Sequence, residues 1–464
     1  MSPLIHIAFV AWLVATFLVF ASRPPAVAAV ASFVAGWLFL PNAGYELTGL
    51  HNKTEIVSLG VLAASLVLAP GPWRRLRPRL LDLVVLVAVL TPLVSARAND
   101  LTWYNAGSSA FRQFLKFGVP YLVGRAYLSD LAGLRAVAVG VFLGGVAYIP
   151  FCLYEIRMSP QLHRILYGFH QHEFIQTVRW GGFRPMVFMQ HGLAVGMWMT
   201  AACLAGVWLW RRKALRSVWG IDVPWLLAPL LVTTLLVKSV GALVLLAAGL
   251  AVLFAGRWLR TALPVGLLAL VPPAYIAARA SGAWSGQQII EVAARFDPER
   301  AESVRTRLLN ENDLVERAFQ RPLFGWGGYG RAEVRDDQGQ STSIRDGLWV
   351  ILLGETGLVG LVTVLAMMLA PPLWVAVRLR RRLLLDPALA SAAVLTVLLA
   401  LTMIDSLFNA FTSPPLIAAS GGLLGLAVAA RARPRPGPVR RPGRARWPAA
   451  RGALRPAPEP ADRP

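Results

Sequence analysis

The chain predicts an all-α, polytopic membrane protein of about 12–13 transmembrane helices, with one large outer loop that itself contains short helices. Three observations carry this. Hydrophobic residues make up 56% of the 464 residues and charged residues only 15%, whereas soluble chains of this size carry about 25% charged residues. The apolar residues fall in continuous runs such as 80–94 and 223–237, not in the alternating pattern of a membrane barrel. The basic residues gather between those runs and in the tail, so the formal net charge of +22 is not a nucleic-acid signature. A water-soluble enzyme is excluded. Only Cys152 and Cys203 are present, both inside apolar runs, which leaves no disulfide framework and no cysteine-based zinc site.

A span needs about 20 mostly apolar residues. Candidates lie near 4–20, 24–41, 55–70, 79–96, 106–123, 133–154, 186–210, 223–237, 240–256, 262–278, 347–370, 388–404 and 416–430. The first has no basic stretch before it and no obvious small-residue cleavage site, so it reads as an anchor. The fifth is interrupted by Arg112 and Lys116 and reads as a weak span or an interfacial segment. Short basic loops mark the cytoplasmic side. Arg74, Arg75, Arg77 and Arg79 form one, 211–213 and 378–382 two more, and Arg257 with Arg260 a weaker one. The chain thus divides into an N-terminal bundle at 1–278 with an outer segment at 155–184, a large outer loop at 279–345, further spans at 346–430, and a tail at 431–464. The tail holds ten Arg against Glu459 and Asp462. It cannot bury a core and reads as disordered, cytoplasmic and adjacent to membrane lipids.

The large loop carries ten Arg and ten acidic residues. Asp297 at an N-cap position, Pro298 at the first helical position, and Glu299 and Glu302 in the first turn open a helix. Val304, Leu308, Val315, Ala318 and Phe319 recur at helical spacing. The plain reading is an amphipathic helix on the membrane surface, with Arg307 paired to Glu311 one turn on; Arg321-Pro322 ends it. Four glycines among residues 325–330 permit tight turns, whose successive amides can cradle an anion. The plain alternative is a surface turn anchored by Trp326 and Tyr329. Asp346 opens the next span as an N-cap or first-turn acid. Glu355 lies nine residues, or about 13.5 Å, further along it, where an unpaired carboxylate is costly; it must pair, face a polar cavity or take a proton. Pro185 predicts the start of a span that puts Arg184 and His191, seven apart, on one helix face. Lys238-Ser239 reads as a hairpin turn or as a cation beside the same cavity. His170-Gln171-His172-Glu173 has only weak metal-site spacing, and no metal is expected.

These residues resemble a known group. Arg305-x-Arg307 followed by Arg321-Pro322-Leu323-Phe324-Gly325-Trp326-Gly327 is similar to the pattern of the O-antigen ligase and polysaccharide polymerase family. Asp346-Gly347-Leu348-Trp349 through Glu355-Thr356-Gly357 resembles the span that closes that family's large periplasmic loop. Lys238-Ser239-Val240-Gly241-Ala242 resembles a turn that usually reads Ser-Arg-Gly-Ala. Gly182-Phe183-Arg184-Pro185 with His191-Gly192, Asn99-Asp100 and 120–125 resemble an exopolysaccharide-associated branch. The resemblance covers most of 40–430. It implies a multi-pass, cofactor-free and metal-independent glycosyltransferase of the bacterial inner membrane. Such an enzyme takes a glycan from an undecaprenyl diphosphate carrier on the periplasmic face and passes it to a glycan or lipid acceptor, alongside other polysaccharide assembly proteins. No nucleic-acid partner is expected.

Two departures bear on the chemistry. Asp346 stands where the family usually has the His that activates the acceptor, and Val240 stands where the turn has its Arg. A carboxylate can also accept a hydroxyl proton, so Asp346 is the expected base, with Glu355 and His191 in second place for base or orientation. Arg305, Arg307, Arg184 and Lys238 are the expected diphosphate ligands. The departures favour a polymerase over a lipopolysaccharide ligase. A lipid-sugar flippase or other transporter and a non-catalytic assembly protein are the alternatives.

Overall fold

The computed structural model describes residues 3–43, 52–296 and 298–432. The tail at 433–464 and Asp297 lie outside the described residues. About 74% of the described residues are helical. The helices are α1 (Pro3–Ser22), α2 (Pro25–Phe39), α3 (Lys53–Leu68), α4 (Gly71–Arg74), α5 (Leu80–Ala98), α6 (Trp103–Gln113), α7 (Val119–Tyr127), α8 (Leu131–Met158), α9 (Leu162–Tyr167) and α10 (Gly192–Arg211). Then follow α11 (Val223–Leu236), α12 (Val240–Trp258), α13 (Leu263–Ala280), α14 (Gln287–Phe296), α15 (Pro298–Phe319), α16 (Leu348–Leu379), α17 (Arg381–Leu385), α18 (Ala390–Asp405) and α19 (Pro414–Ala432). Two antiparallel two-residue ribbons, β1 (Val178–Arg179) with β2 (Gly182–Phe183) and β3 (Ser217–Val218) with β4 (Ile221–Asp222), are the described sheet.

Eight helices among the described residues are long and apolar enough to cross a bilayer: α1, α5, α8, α10, α12, α13, α16 and the Pro387–Asp405 segment that contains α18. Shorter apolar helices occur at Pro25–Phe39, Val223–Leu236 and Pro414–Ala429. The chain is therefore a multi-pass helical membrane protein. The fifth candidate run is helical through 103–127, where α6 passes through a π-helical stretch at Phe114–Gly118 into α7. Such a stretch absorbs an extra residue without ending a helix, so Arg112 and Lys116 do not break it.

A helix apolar on every face belongs in the middle. That holds for α10 and α18, whose spans are 89% and 83% buried, whereas α1 is 22% buried. Trp198 and Trp208 of α10 are among the largest fully buried side chains. The closest helix pair is α7 against α19. A Cβ at Gly124 would land on the Ala418 carbonyl and one at Gly421 on the Tyr121 carbonyl, so glycine lets these backbones touch. The basic helix ends collect away from the site described next. Arg212 donates to the Leu385 carbonyl, Arg135 to that of Ala214, and buried Arg125 pairs with Asp82 at 3.0 Å.

Candidate functional site

Four separate stretches meet at one end of the bundle: the N-terminus of α10, the α11–α12 turn, helix α15 and the C-terminal end of α18. Arg307 on α15 approaches Asp346 through Nε at 3.3 Å, with the side chains 32% and 39% exposed, and points Nη1 at the Phe408 carbonyl. Asp346 does not cap α16. Gly347 is the N-cap residue, with no side-chain hydrogen bond, and the Leu348 amide donates to the Ser406 carbonyl at 2.9 Å. The expected Arg307–Glu311 pair is also replaced, because Glu311 faces a different arginine. Arg305 is exposed. Two residues along a helix turn it about 200° from Arg307, so the two do not converge.

Arg184 and His191 do come together, but not on one helix face. Residues 184–191 are non-helical, and α10 begins at Gly192 with His191 as its N-cap. His191 Nδ1 accepts the Leu193 amide proton at 3.0 Å, which leaves Nε2–H for Gln176 Oε1 at 3.2 Å. The ring is buried and stacks on Phe411. Burial pushes its pKa down from 6.5 to about 3, with His172, Arg184, Arg307 and Arg179 adding repulsion, so the imidazole is neutral at physiological pH. In this tautomer its lone pair is occupied, which fits an orienting group better than a base. Arg184 is buried and donates to the Lys238 carbonyl at 3.0 Å. Lys238 sits in the α11–α12 turn at φ 57°, and its Nζ reaches the carbonyls of Arg179 and Trp180 at 2.9 and 3.3 Å. It is both the hinge of a turn and a cation beside Arg184. Arg307, Asp346 and Phe408 enclose only about 10 Å³, room for one water at most. A larger anion would therefore have to displace the Arg307–Asp346 contact.

The first half of the glycine turn is neither an open anion cradle nor a plain surface turn. Two of its amides are taken by a break in α16, where Gly357 sits at φ 66°, ψ −167°. Trp326 and Gly327 amides donate to the carbonyls of Gly354 and Glu355 at 2.8 and 3.0 Å, and the Leu358 and Val359 amides donate back to Pro322 and Leu323. A Cβ at Gly357 would fall on the Leu323 carbonyl and one at Gly325 on the Gly354 carbonyl, so this interlock requires glycine in both segments. The Glu355 side chain is held by Arg345 at 3.1 Å, and the same guanidinium reaches Glu333 at 2.9 Å. Glu355 is thus a paired carboxylate, with about a third of its side chain exposed.

Sequence reasoning missed three groups that build this end. Arg279 pairs with Glu311 at 3.1 Å, both nearly fully buried, and donates to Asn312 and the carbonyls of Leu308, Trp284 and Ser285. Burial raises the Glu311 pKa, against the pull of Tyr275 and Arg279. This joint fastens α15 to α13, and Leu308, Leu314 and Ala318 bury beneath it while Phe319 stays exposed. The helix packs on α14 and α16. Buried Glu155 caps the amides of Leu162, Met186 and Val187 at 2.7–3.0 Å and so shapes the outer segment. Buried His163 accepts from the Asn42 amide and donates to the Phe169 carbonyl, and burial lowers its pKa to about 4. Only the ten-residue crowd of arginines hinted at Arg279; its partner lies 32 positions away. Cys152 and Cys203 are free and buried. Among the described residues no three His, Cys, Asp or Glu side chains gather as metal ligands would.

No model of a known protein family and no curated protein matches this chain. Its chemistry has to be argued from the site. A half-exposed guanidinium contacts one half-exposed carboxylate, and the neutral His191 imidazole, a buried guanidinium and a lysine stand close by. That set can hold an anionic group and receive one proton.

Proposed function

We propose that the protein is a glycosyltransferase that moves or polymerises an undecaprenyl-diphosphate-linked glycan on the periplasmic face of the bacterial inner membrane. The observation that carries this reading is the Arg307–Asp346 pair at one end of an apolar bundle, with His191 and Arg184 close enough to Arg307 to share one electrostatic environment and Lys238 beside Arg184. In this reading the bundle spans the bilayer about 12–13 times. The 279–345 loop is periplasmic, and the basic helix ends and the tail are cytoplasmic.

The acceptor hydroxyl oxygen bonds to the anomeric carbon as the bond to the diphosphate oxygen breaks. The lipid diphosphate leaves with the electron pair, and the hydroxyl proton passes to Asp346. Charge grows on the leaving diphosphate, so fixed cations stabilise the transition state more than the ground state. Arg307 is occupied by Asp346 before the diphosphate arrives. A diphosphate that takes the guanidinium releases the carboxylate to act as base, which links donor binding to proton acceptance. Arg305, on the far side of α15, is left with a peripheral part. Glu355, held by Arg345, braces the site.

A transporter is the competing reading, and polar residues strung through the spans would favour it. Buried Lys53 and Glu55 at the start of α3 and Asp405 at the end of α18 sit near helix ends instead. The test is purified protein with lipid-linked glycan in detergent, where no compartments exist. A transferase lengthens or moves the glycan, and Arg307→Ala or Arg184→Ala slows it at least about tenfold. Unchanged glycan with the native protein, or normal product from both variants, overturns the proposal.

A further inference from the structure

Beside the cation cluster lies a second, larger space. A cavity of about 720 Å³ opens between α15 and the 331–335 segment, within the 300–1,000 Å³ typical of ligand pockets. Helix α15 contributes Asp313, Glu316, Arg317 and Gln320, which share a face because they are three, four and seven residues apart. The floor is Trp326, with the guanidinium carbons of Arg317 and Arg321 at 3.5 and 4.7 Å from its ring centroid. The indole Nε1–H donates to the Arg317 carbonyl at 2.8 Å. Arg321 donates to Asn99 Oδ1 at 2.6 Å, and Arg331 to the Asn99 carbonyl at 3.1 Å. Among the described residues, none of Arg317, Arg321, Arg331, Asp313 and Glu316 makes an ion pair. A guanidinium stacked on a ring keeps its N–H edges for partners in its own plane. Arg317 is held in place by donating to Gln320 Oε1 at 2.8 Å and toward the Arg331 carbonyl at 3.5 Å, so fixed guanidinium groups and the carboxylates of Asp313 and Glu316 line one open groove.

We infer that this groove docks a neutral, hydroxyl-rich stretch of glycan. Each hydroxyl both donates and accepts, so it suits a wall on which guanidinium and carboxylate groups alternate. The four carboxylates of the lining, Asp100, Asp313, Glu316 and Glu333, repel an acidic sugar, and its four arginines repel an amine. The groove connects to the cation cluster through one residue. Glu333 on its rim holds Arg345 at 2.9 Å, and Arg345 directly precedes Asp346. A glycan lying in the groove would present its end toward Asp346. The inference deepens the transferase reading and rests on it for the glycan's role as acceptor or growing chain.

The test uses the full chain purified in detergent. Short oligomers of glucose, mannose and galactose are the neutral probes and oligogalacturonate the acidic control, with binding read by isothermal calorimetry and saturation-transfer NMR. At least one neutral probe is expected to bind and the acidic control to bind at least tenfold more weakly. Asp313→Asn with Glu316→Gln should weaken the neutral probe at least tenfold, and Gln320→Trp, which fills the groove, should abolish binding. These exposed positions keep the variants folded, which an unchanged melting temperature verifies. Binding by no neutral probe, tighter binding of oligogalacturonate, or native-like binding by the variants overturns the inference. The two proposals fail separately. If Arg307→Ala slows glycan transfer while the groove variants keep the native acceptor KM, the groove is dismissed and the transferase stands. If oligosaccharide binding depends on the groove but no transfer occurs, the groove stands and the transferase falls.

Discussion

Arg307 and Glu311 lie one turn apart on α15, and each belongs to an arginine–carboxylate pair. Glu311 meets Arg279 at 3.1 Å with both side chains nearly fully buried, and Tyr275 and Asn312 complete the hydrogen bonds. Arg307 meets Asp346 at 3.3 Å with about a third of each side chain open to solvent. The first pair is saturated and enclosed. The second keeps donors and an acceptor that a ligand can claim. One turn of helix thus separates an enclosed pair from an open one, and burial rather than residue type distinguishes them.

The sharpest break in this comparison is expected from Arg279→Ala. It strands a buried carboxylate and should cost about 3–5 kcal/mol, read as a lowered melting temperature and early proteolysis of the 280–345 loop. An unchanged melt would mean that α15 is fastened elsewhere. His163 extends the enclosed class to the outer segment. Its pKa falls from 6.5 to about 4, so the folded state holds its proton less tightly than the unfolded chain. Its stabilising contribution is complete above pH 6.5 and is lost as pH falls toward 4, on the order of 3 kcal/mol in all. His163→Asn should flatten melting temperature against pH across that window; an equal slope would exonerate the ring. The open pair behaves in the reverse way. Arg307→Ala should cost at most about 1 kcal/mol of stability yet slow glycan transfer by roughly ten- to a hundredfold, the worth of one charge-assisted contact of about 1.5–3 kcal/mol. Equal losses in melt and rate would erase the distinction. Asp346→Asn is the mildest for the fold, within about 0.5 kcal/mol. It should nevertheless remove transfer if the carboxylate takes the proton, while a non-catalytic assembly protein would tolerate it.

Some of the site was legible and some was not. Arg307, Arg184, Lys238, His191 and Asp346 could be picked out because charged residues bordering long apolar runs are conspicuous. Their partners could not. Arg307 was expected to meet Glu311 because a helix brings residues four apart together, but packing gave Glu311 to Arg279. Arg184 and His191 were expected on a common helix, but Glu155 holds the intervening amides of Met186 and Val187 in a turn and delays the helix to Gly192. The glycines of 325–330 were read as freedom to bind an anion. Gly325 instead lets one stretch of backbone enter a break in another, a fit that depends on Gly357, 32 residues away.

The amino-acid order alone determined the helical class, the approximate positions of the apolar runs and the start of α15 at Pro298. These follow from local periodicity and from the cost of leaving backbone polar groups unpaired in hydrocarbon. Only the tertiary structure decided which arginine met which carboxylate, which glycines interlocked, and which cation stayed open. Ion pairing is a competition among every charge that the fold brings within a few ångströms, and that distance is not written along the chain.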